Sequence, residues 1–198
     1  MITKTQAEIL KIFVSHIDRR FSIKEISETL KKSYPLIHRS IQDLLNKKYL
    51  LKDEKKFLSL NYKNNHAELG YIESLRSKLA LDKDKTLTLF SNDVKNKLNL
   101  NFFVLLVFGS YVEKSNPRDI DILLIIEHED KLTEVEKTIV NIASQFTKKF
   151  EIQVITVKSA YEMLAKRENI NILNESLNKH LLLFGAENYY RMVNNARQ

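Results

Sequence analysis

The chain has 198 residues, enough for one large domain or two small ones, and its 43% hydrophobic content, with ten Phe and eight Tyr, suffices for a core. It has no cysteine, which excludes disulfides, thiolate zinc sites and cysteine nucleophiles and fits a reducing, cytoplasmic setting. The net charge of +7 is unevenly placed: residues 1–65 carry 14 Lys and Arg against 7 Asp and Glu, whereas residues 66–198 carry 18 of each. A basic segment joined to a neutral one points to a polyanionic partner for the first.

The first segment reads as three helices and a hairpin. Ile9, Leu10, Ile12, Phe13 and Ile17 recur at helical spacing, which predicts a helix from about Lys4 to His16. Ser22 followed by Glu25 is a capping box opening a second helix, with Ile23, Ile26 and Leu30 on its apolar face. After a turn at Lys31–Ser33, Ser33 is placed to cap a third helix, and Pro35 is tolerated in its first turn. Ile37, Ile41, Leu44 and Leu45 are its inner positions, and two short strands, Leu50–Lys52 and Phe57–Leu60, flank the charged turn Asp53–Lys56. The polar stretch Asn61–His66 then marks a boundary. The expected division is a first domain over 1–65, a linker helix over 66–81 and a second domain over 82–198.

Leu69, Ile72, Leu75 and Leu79 give the linker helix, Ala67–Leu81, one apolar side, suited to bridging the domains or to packing a homodimer. Beyond a helix at Ser91–Leu98, strands and helices alternate. The expected order is strand Phe102–Phe108, strand Asp119–Ile126, helix Thr133–Phe150, strand Glu151–Val157, helices Ala160–Arg167 and Ile170–His180, segment Leu181–Phe184 and a last helix after Gly185. This predicts an α+β protein whose second domain is a small sheet covered by helices. The longest apolar runs are too short to span a bilayer, the first ten residues lack a signal-peptide core, and no membrane partner is expected.

The order helix, helix, turn, helix, basic hairpin is that of a winged helix-turn-helix. The stretch from Ser33 to Gln42 resembles the recognition helix of winged-helix regulators. With Ile37, Ile41 and Leu44 facing inward, Tyr34, His38, Arg39 and Gln42 face out. Arg and Gln make bidentate contacts to base edges, and Ser or Tyr hydroxyls bond phosphate. Lys52, Lys55 and Lys56 sit on the wing, where a basic tip lies along a groove. The expected partner is double-stranded DNA, bound by a dimer where two half-sites are read.

The second domain carries a more specific pattern. An apolar strand ends in Gly109-Ser110, and about ten residues later Arg118 precedes Asp119-Ile120-Asp121, opening another apolar strand. Residues i and i+2 of a strand share a face, so the two carboxylates point the same way. Paired carboxylates suit Mg²⁺, which needs substrate phosphates to complete its oxygen shell. Gly109 permits close backbone approach to a triphosphate, and Ser110 adds a hydroxyl and an N–H at a helix start.

This pattern resembles the minimal nucleotidyltransferases of the DNA-polymerase-beta-like superfamily, over roughly residues 85–190. With the basic module in front, the chain looks like their two-domain archaeal-type members. The resemblance implies Mg²⁺-dependent transfer of a mononucleotide from an NTP such as ATP to a hydroxyl of a partner protein or nucleic acid. It implies Gly109, Ser110 and Arg118 at the nucleotide and Asp119, Asp121 and a third carboxylate as metal ligands and catalytic groups. The third position falls on either Glu151, which completes the set, or Gln153, which leaves it without a base. Three departures stand out. Glu113-Lys114 replaces the usual Arg-Gly, Arg118 replaces the usual serine before the first aspartate, and the loop Tyr111–Arg118 is about two residues short. They keep open a second reading, a transcription regulator whose nucleotidyltransferase-like domain performs no chemistry.

Overall fold

The computed structural model describes residues 2–114, 117–166 and 170–197. It is a mixed α+β structure. Helices α1 (Lys4–Ser15), α2 (Ile23–Leu30) and α3 (Tyr34–Asn46) lead into a two-stranded antiparallel hairpin, β1 (Leu50–Lys52) and β2 (Leu58–Leu60). The helix starts are written in the sequence. Thr3 and Gln6 form a capping box on α1, and Ser22 and Glu25 form the expected one on α2. Ser33 holds the N-cap position of α3, but its hydroxyl makes no cap bond. Ile9, Leu10, Phe13, Ile26, Ile37, Ile41, Leu44 and Leu58 are fully buried among these elements. Phe21 ties the hairpin down by a two-way backbone bridge to Leu58, at 2.9 and 2.8 Å.

A long helix, α4 (His66–Leu81), and α5 (Lys85–Lys97) connect to a four-stranded sheet. Its strands are β3 (Phe103–Phe108), β4 (Asp119–Ile126), β5 (Lys149–Thr156) and β6 (His180–Phe184), in the order β5-β4-β3-β6. β3 is antiparallel to both β4 and β6, and β4 is parallel to β5. The parallel pair requires a crossover, supplied by α7 (Leu132–Ala143). The one-turn helix α6 (Ser110–Glu113) follows β3, while α8 (Val157–Ala165), α9 (Ile172–Ser176) and α10 (Ala186–Ala196) complete the chain.

Several elements differ from expectation at their ends. α5 starts six residues earlier, because Asp84 accepts from the Leu87 N–H at 3.0 Å and caps it, and Leu87, Phe90 and Val94 recur at helical spacing on its buried face. α7 stops at Ala143 rather than Phe150, since Lys149 and Phe150 pair with Asp119 and Ile120 as the start of β5. α8 begins at Val157, capped by Thr156, and the expected helix end at Arg167 lies outside the described residues. α9 ends at Ser176 rather than at His180, because His180 pairs with Phe108 and opens the edge strand His180–Phe184.

Strand alternation divides the core. Ile120, Ile122, Leu124 and Ile126 of β4 pack with Leu87, Phe90 and Val94 of α5 and Val135, Ile139 and Ile142 of α7. Leu123 and Ile125 turn to the other face, against Ala160 and Leu164 of α8, Tyr189, Tyr190 and Val193 of α10, and Leu69 and Ile72 of α4. That second cluster runs without a break into Ile9, Phe13 and Ile17 of the N-terminal module. Contacts across Asn61–His66 are therefore denser than a polar boundary suggests. Ile17 N–H donates to the Leu177 carbonyl at 3.1 Å, Asp18 N–H to Asn178 Oδ1 at 3.0 Å, and Arg197 Nη1 to Asp18 Oδ1 at 2.5 Å.

A buried polar group lies where α4, β6 and α10 meet. Glu73 is fully buried, and its carboxylate accepts from Arg76 at 2.6 Å and from the Tyr190 hydroxyl at 2.8 Å, with His180 Nε2 at 3.3 Å. Burial works against the charge of Glu73, but Arg76 and His180 outweigh it and hold the carboxyl below its ordinary range. His180 Nδ1 faces the Ser176 carbonyl at 2.7 Å, so both ring nitrogens meet acceptors. Among the described residues, no helix is long and apolar enough to cross a membrane.

Candidate functional sites

Five of the eight residues expected to meet DNA line one groove, and Ser33, Arg39 and Gln42 lie outside it. α3 projects Tyr34 and His38 beside the hairpin, and these two together with Lys52, Lys55, Lys56, Phe57, Ser22, Ile23 and Lys24 line one groove of about 370 Å³. Tyr34 and His38, one helical turn apart, stack with ring centroids 6.1 Å apart and an interplanar angle of 27°. Ser33 and Arg39 are exposed and Gln42 is half-buried, all on α3 or at its start. Lys56 has φ +66°, which turns the hairpin tip back, and Asp53 stabilises that tip by accepting from the Phe57 N–H at 2.8 Å and from Arg20 at 2.9 Å. Lys52, Lys55 and Lys56 make no ion pair among the described residues.

The carboxylates gather at one end of the four-stranded sheet. Register places Asp121 opposite Phe108 on one side and Glu151 on the other, while Asp119 lies opposite Lys149. Gln153 is one residue pair further along the same face, opposite Leu123. The neighbour of Asp121 is therefore Glu151. Asp119 and Asp121 share their face with Leu123 and Ile125, and both are half-buried.

Gly109 and Ser110 are built against these aspartates. Gly109 has φ +64°, and a Cβ on it would sit 2.3 Å from Asp121 Oδ2. Only glycine leaves room for that carboxylate. The Ser110 backbone N–H donates to Asp121, and its Oγ lies 3.4 Å from Asp119 Oδ1. Burial, then the charges of Asp119 and Glu151, push the Asp121 carboxyl above its ordinary range; the Ser110 N–H and the Lys149 ammonium pull less strongly the other way.

Two features work against a complete three-carboxylate set. The Lys149 ammonium pairs with Glu151 and holds it at the exposed rim. Among the described residues, no three His, Cys, Asp or Glu side chains are arranged to hold a metal ion. Asp119 and Asp121 remain a pair of hard oxygen donors on one face, with Gly109 clearing the approach, which suits a divalent cation that also takes phosphate oxygens. Arg118 is exposed and forms no ion pair among the described residues, so it is not spent on neutralising Asp119. In the loop Tyr111–Arg118, residues 115 and 116 lie outside the described residues.

Two groups of residues have no signal in the sequence. Glu73, Arg76, His180 and Tyr190 lie up to 117 positions apart, and only the Glu73/Arg76 spacing of three hints at a pair. Asp84 likewise accepts from the Tyr111 hydroxyl at 3.0 Å and lies 3.6 Å from Lys148, joining the start of α5 to α6. No protein-family model matches this chain, and comparison with characterised proteins and with solved structures yields no match either.

Proposed function

We propose that this chain is a DNA-binding protein with a Mg²⁺-dependent nucleotidyltransferase domain, a winged helix-turn-helix followed by a minimal nucleotidyltransferase-like sheet. The observation that carries the enzymatic part is the seating of Asp121. Glycine at 109 clears space for its carboxylate, Ser110 donates to it, and Asp119 and Glu151 crowd it. Two carboxylates on one strand face, with the Asp121 carboxyl raised by burial and by the charges of Asp119 and Glu151, form a site with a use for a cation. Asp119 and Asp121 would hold Mg²⁺, which would polarise the phosphates and stabilise the departing pyrophosphate. Gly109 leaves the approach open, the Ser110 hydroxyl would donate to the phosphates, and exposed Arg118 would pair with them. Glu151, released from Lys149, would accept the proton of the attacking hydroxyl. The new bond joins that oxygen to the α-phosphorus as the bond to pyrophosphate breaks.

The groove between α3 and the hairpin supports duplex DNA as partner, since Lys24, Lys52, Lys55 and Lys56 surround the outward face of α3. One observation favours the second reading, a transcription regulator without chemistry: the Lys149–Glu151 pair, which occupies the candidate base. The deciding experiment incubates the full chain with each α-³²P-labelled NTP, Mg²⁺, DNA and a cell extract as acceptor source. Label on protein or nucleic acid that disappears in Asp121→Asn and in Glu151→Gln supports the enzyme. Magnesium-dependent NTP binding by calorimetry without labelling supports the regulator. No magnesium-dependent binding of any NTP removes the enzyme and the nucleotide-sensing form of the regulator, leaving a DNA-binding protein that uses this domain for assembly.

A further inference from the structure

A second cavity, of about 640 Å³, opens at the carboxylate end of the sheet, around the β6 edge. It lies within the volume range of roughly 300–1,000 Å³ typical of small-molecule sites. Leu181, on its wall, belongs to the core cluster on the α5 and α7 side, whereas Asp119 and Asp121 emerge on the opposite face. The cavity is therefore separate from the aspartate pair.

Its lining is unlike the rest of this region. Residues 66–198 carry equal numbers of basic and acidic groups, yet Arg76, Lys83, Lys114 and Lys148 line this one cavity with Asp84 as the sole acid among the described residues. Asp84 is already engaged. Oδ1 accepts from the Leu87 N–H, and Oδ2 accepts from Tyr111 and neighbours Lys148. These contacts, together with Lys148, outweigh burial and hold its carboxyl below the ordinary range. Arg76 spends its guanidinium on Glu73 and on the His180 carbonyl and forms a fixed cationic wall with only 11% of its side chain exposed. Lys83 and Lys114 have no acidic partner among the described residues. Leu79, Ala80, Pro117 and Leu181 supply apolar surface, and the Tyr111 ring lies 5.2 Å from the Lys148 ammonium.

We propose that this cavity binds a nucleoside polyphosphate without a metal ion, as an effector rather than as a substrate of the aspartate site. Lys83, Lys114 and Lys148 take the phosphates, and the base rests on Leu79, Ala80 and Pro117. A cluster of ammonium groups at an apolar wall suits a ligand with charge at one end and a flat apolar ring at the other. Because Tyr111 and Lys114 are at α6 and the residue following it, occupancy bears on the same short segment that begins with Ser110.

The test is calorimetry of the full chain with ATP, GTP, CTP and UTP in EDTA, which disables the aspartate site and so separates this proposal from the proposed function. At least one nucleotide should bind. Lys83→Ala/Lys114→Ala should weaken it tenfold or more, with Asp121→Asn unchanged. Inorganic triphosphate should bind more weakly than the nucleotide. Absence of nucleotide binding in EDTA overturns the proposal, and so does binding insensitive to the double variant. Inorganic triphosphate binding as tightly as the nucleotide overturns the base contact. A single-stranded oligonucleotide that binds in EDTA, is weakened by the double variant and outcompetes the mononucleotides reassigns the cavity to nucleic-acid backbone.

Discussion

Glu25 and Asp121 are both acidic residues near the start of an element, and the fold treats them oppositely. In the N-terminal module, Ser22 gives its backbone N–H at 2.7 Å and its hydroxyl to the capping box, which holds Glu25 below the ordinary carboxylate range. At the sheet end, burial and two neighbouring acids hold Asp121 above it. The first arrangement is what stability alone selects: a charge placed where orphan N–H groups want it. The second is costly to the free protein and makes sense where a bound partner relieves it. The cationic groove of α3 and the hairpin resembles the sheet end in this respect, for it too gathers like charges, of the opposite sign.

Changes to the polar group between these regions should have the largest effect. Glu73→Gln leaves the Arg76 guanidinium without its buried countercharge and weakens the contacts to His180 and Tyr190, and losing one partner of a buried pair costs about 3–5 kcal/mol. Urea denaturation followed by circular dichroism should show that loss. Because one apolar cluster joins α1 to α4 and α10, both halves should unfold in one transition. Two transitions, with only the later one shifted, would restore the division at Asn61–His66 as a boundary between independent folding units. Proteolytic fragments beginning between Asn61 and Asp82 would say the same.

Gly109→Ala comes next. It places a Cβ at φ +64° against Asp121 Oδ2, a strain and overpacking cost of about 3 kcal/mol. The loss should appear in denaturation, and binding of duplex DNA to the N-terminal module should stay as in the wild type. Equal damage to DNA binding would mean that the two regions are not separable in function.

On the outward side of α3 and the hairpin, two kinds of residue should separate. Arg39→Ala should lower discrimination between a preferred and a scrambled duplex by about 1–3 kcal/mol, the worth of a bidentate base contact. Gln42→Ala should act in the same direction. Replacing Lys52, Lys55 and Lys56 by Ala should instead reduce the slope of log affinity against log salt by about three, with specificity retained. A fragment comprising residues 66–198 that binds duplex as tightly as the full chain would remove the groove from consideration.

How legible these regions are in the sequence follows from the range of the interactions. Caps and faces are local, so Ser22 with Glu25, and the inner stripe Ile37, Ile41 and Leu44, are readable from spacing alone. Asp119 and Asp121 are two apart on one strand, which fixes their common face. The choice between Glu151 and Gln153 depends on register between strands that are about 30 residues apart in sequence, and only the pairing Asp121↔Glu151 sets it. The start of α5 escapes sequence reading because Thr86–Leu89 alternates polar and apolar residues as a strand does, although Leu87, Phe90 and Val94 share the buried helix face. The cationic residues of the second cavity come from the neighbourhoods of α4, α6 and β5, and no local pattern links them.

The smallest effects should carry opposite signs with pH. Ser22→Ala keeps the backbone N–H that does most to depress Glu25 but removes the hydroxyl that adds to it, and losing an N-cap costs about 1 kcal/mol. A depressed carboxyl contributes stability that is present above the unfolded-state pKa and is lost as pH falls through the lower folded value. The wild-type advantage over Ser22→Ala should therefore hold at neutral pH and shrink in acid. Asp121 runs the other way. Its folded carboxyl is raised, so the unfolded chain releases the proton first, and stability falls as pH climbs from the ordinary aspartate range through the raised value. Above that window the penalty is complete. Asp121→Asn should consequently raise the urea midpoint slightly at neutral pH and leave it unchanged well below the ordinary aspartate range, while abolishing magnesium-dependent NTP binding. A variant less stable than wild type at neutral pH would mean that Asp121 is held for folding, like Glu25, and the contrast between the two regions would fail.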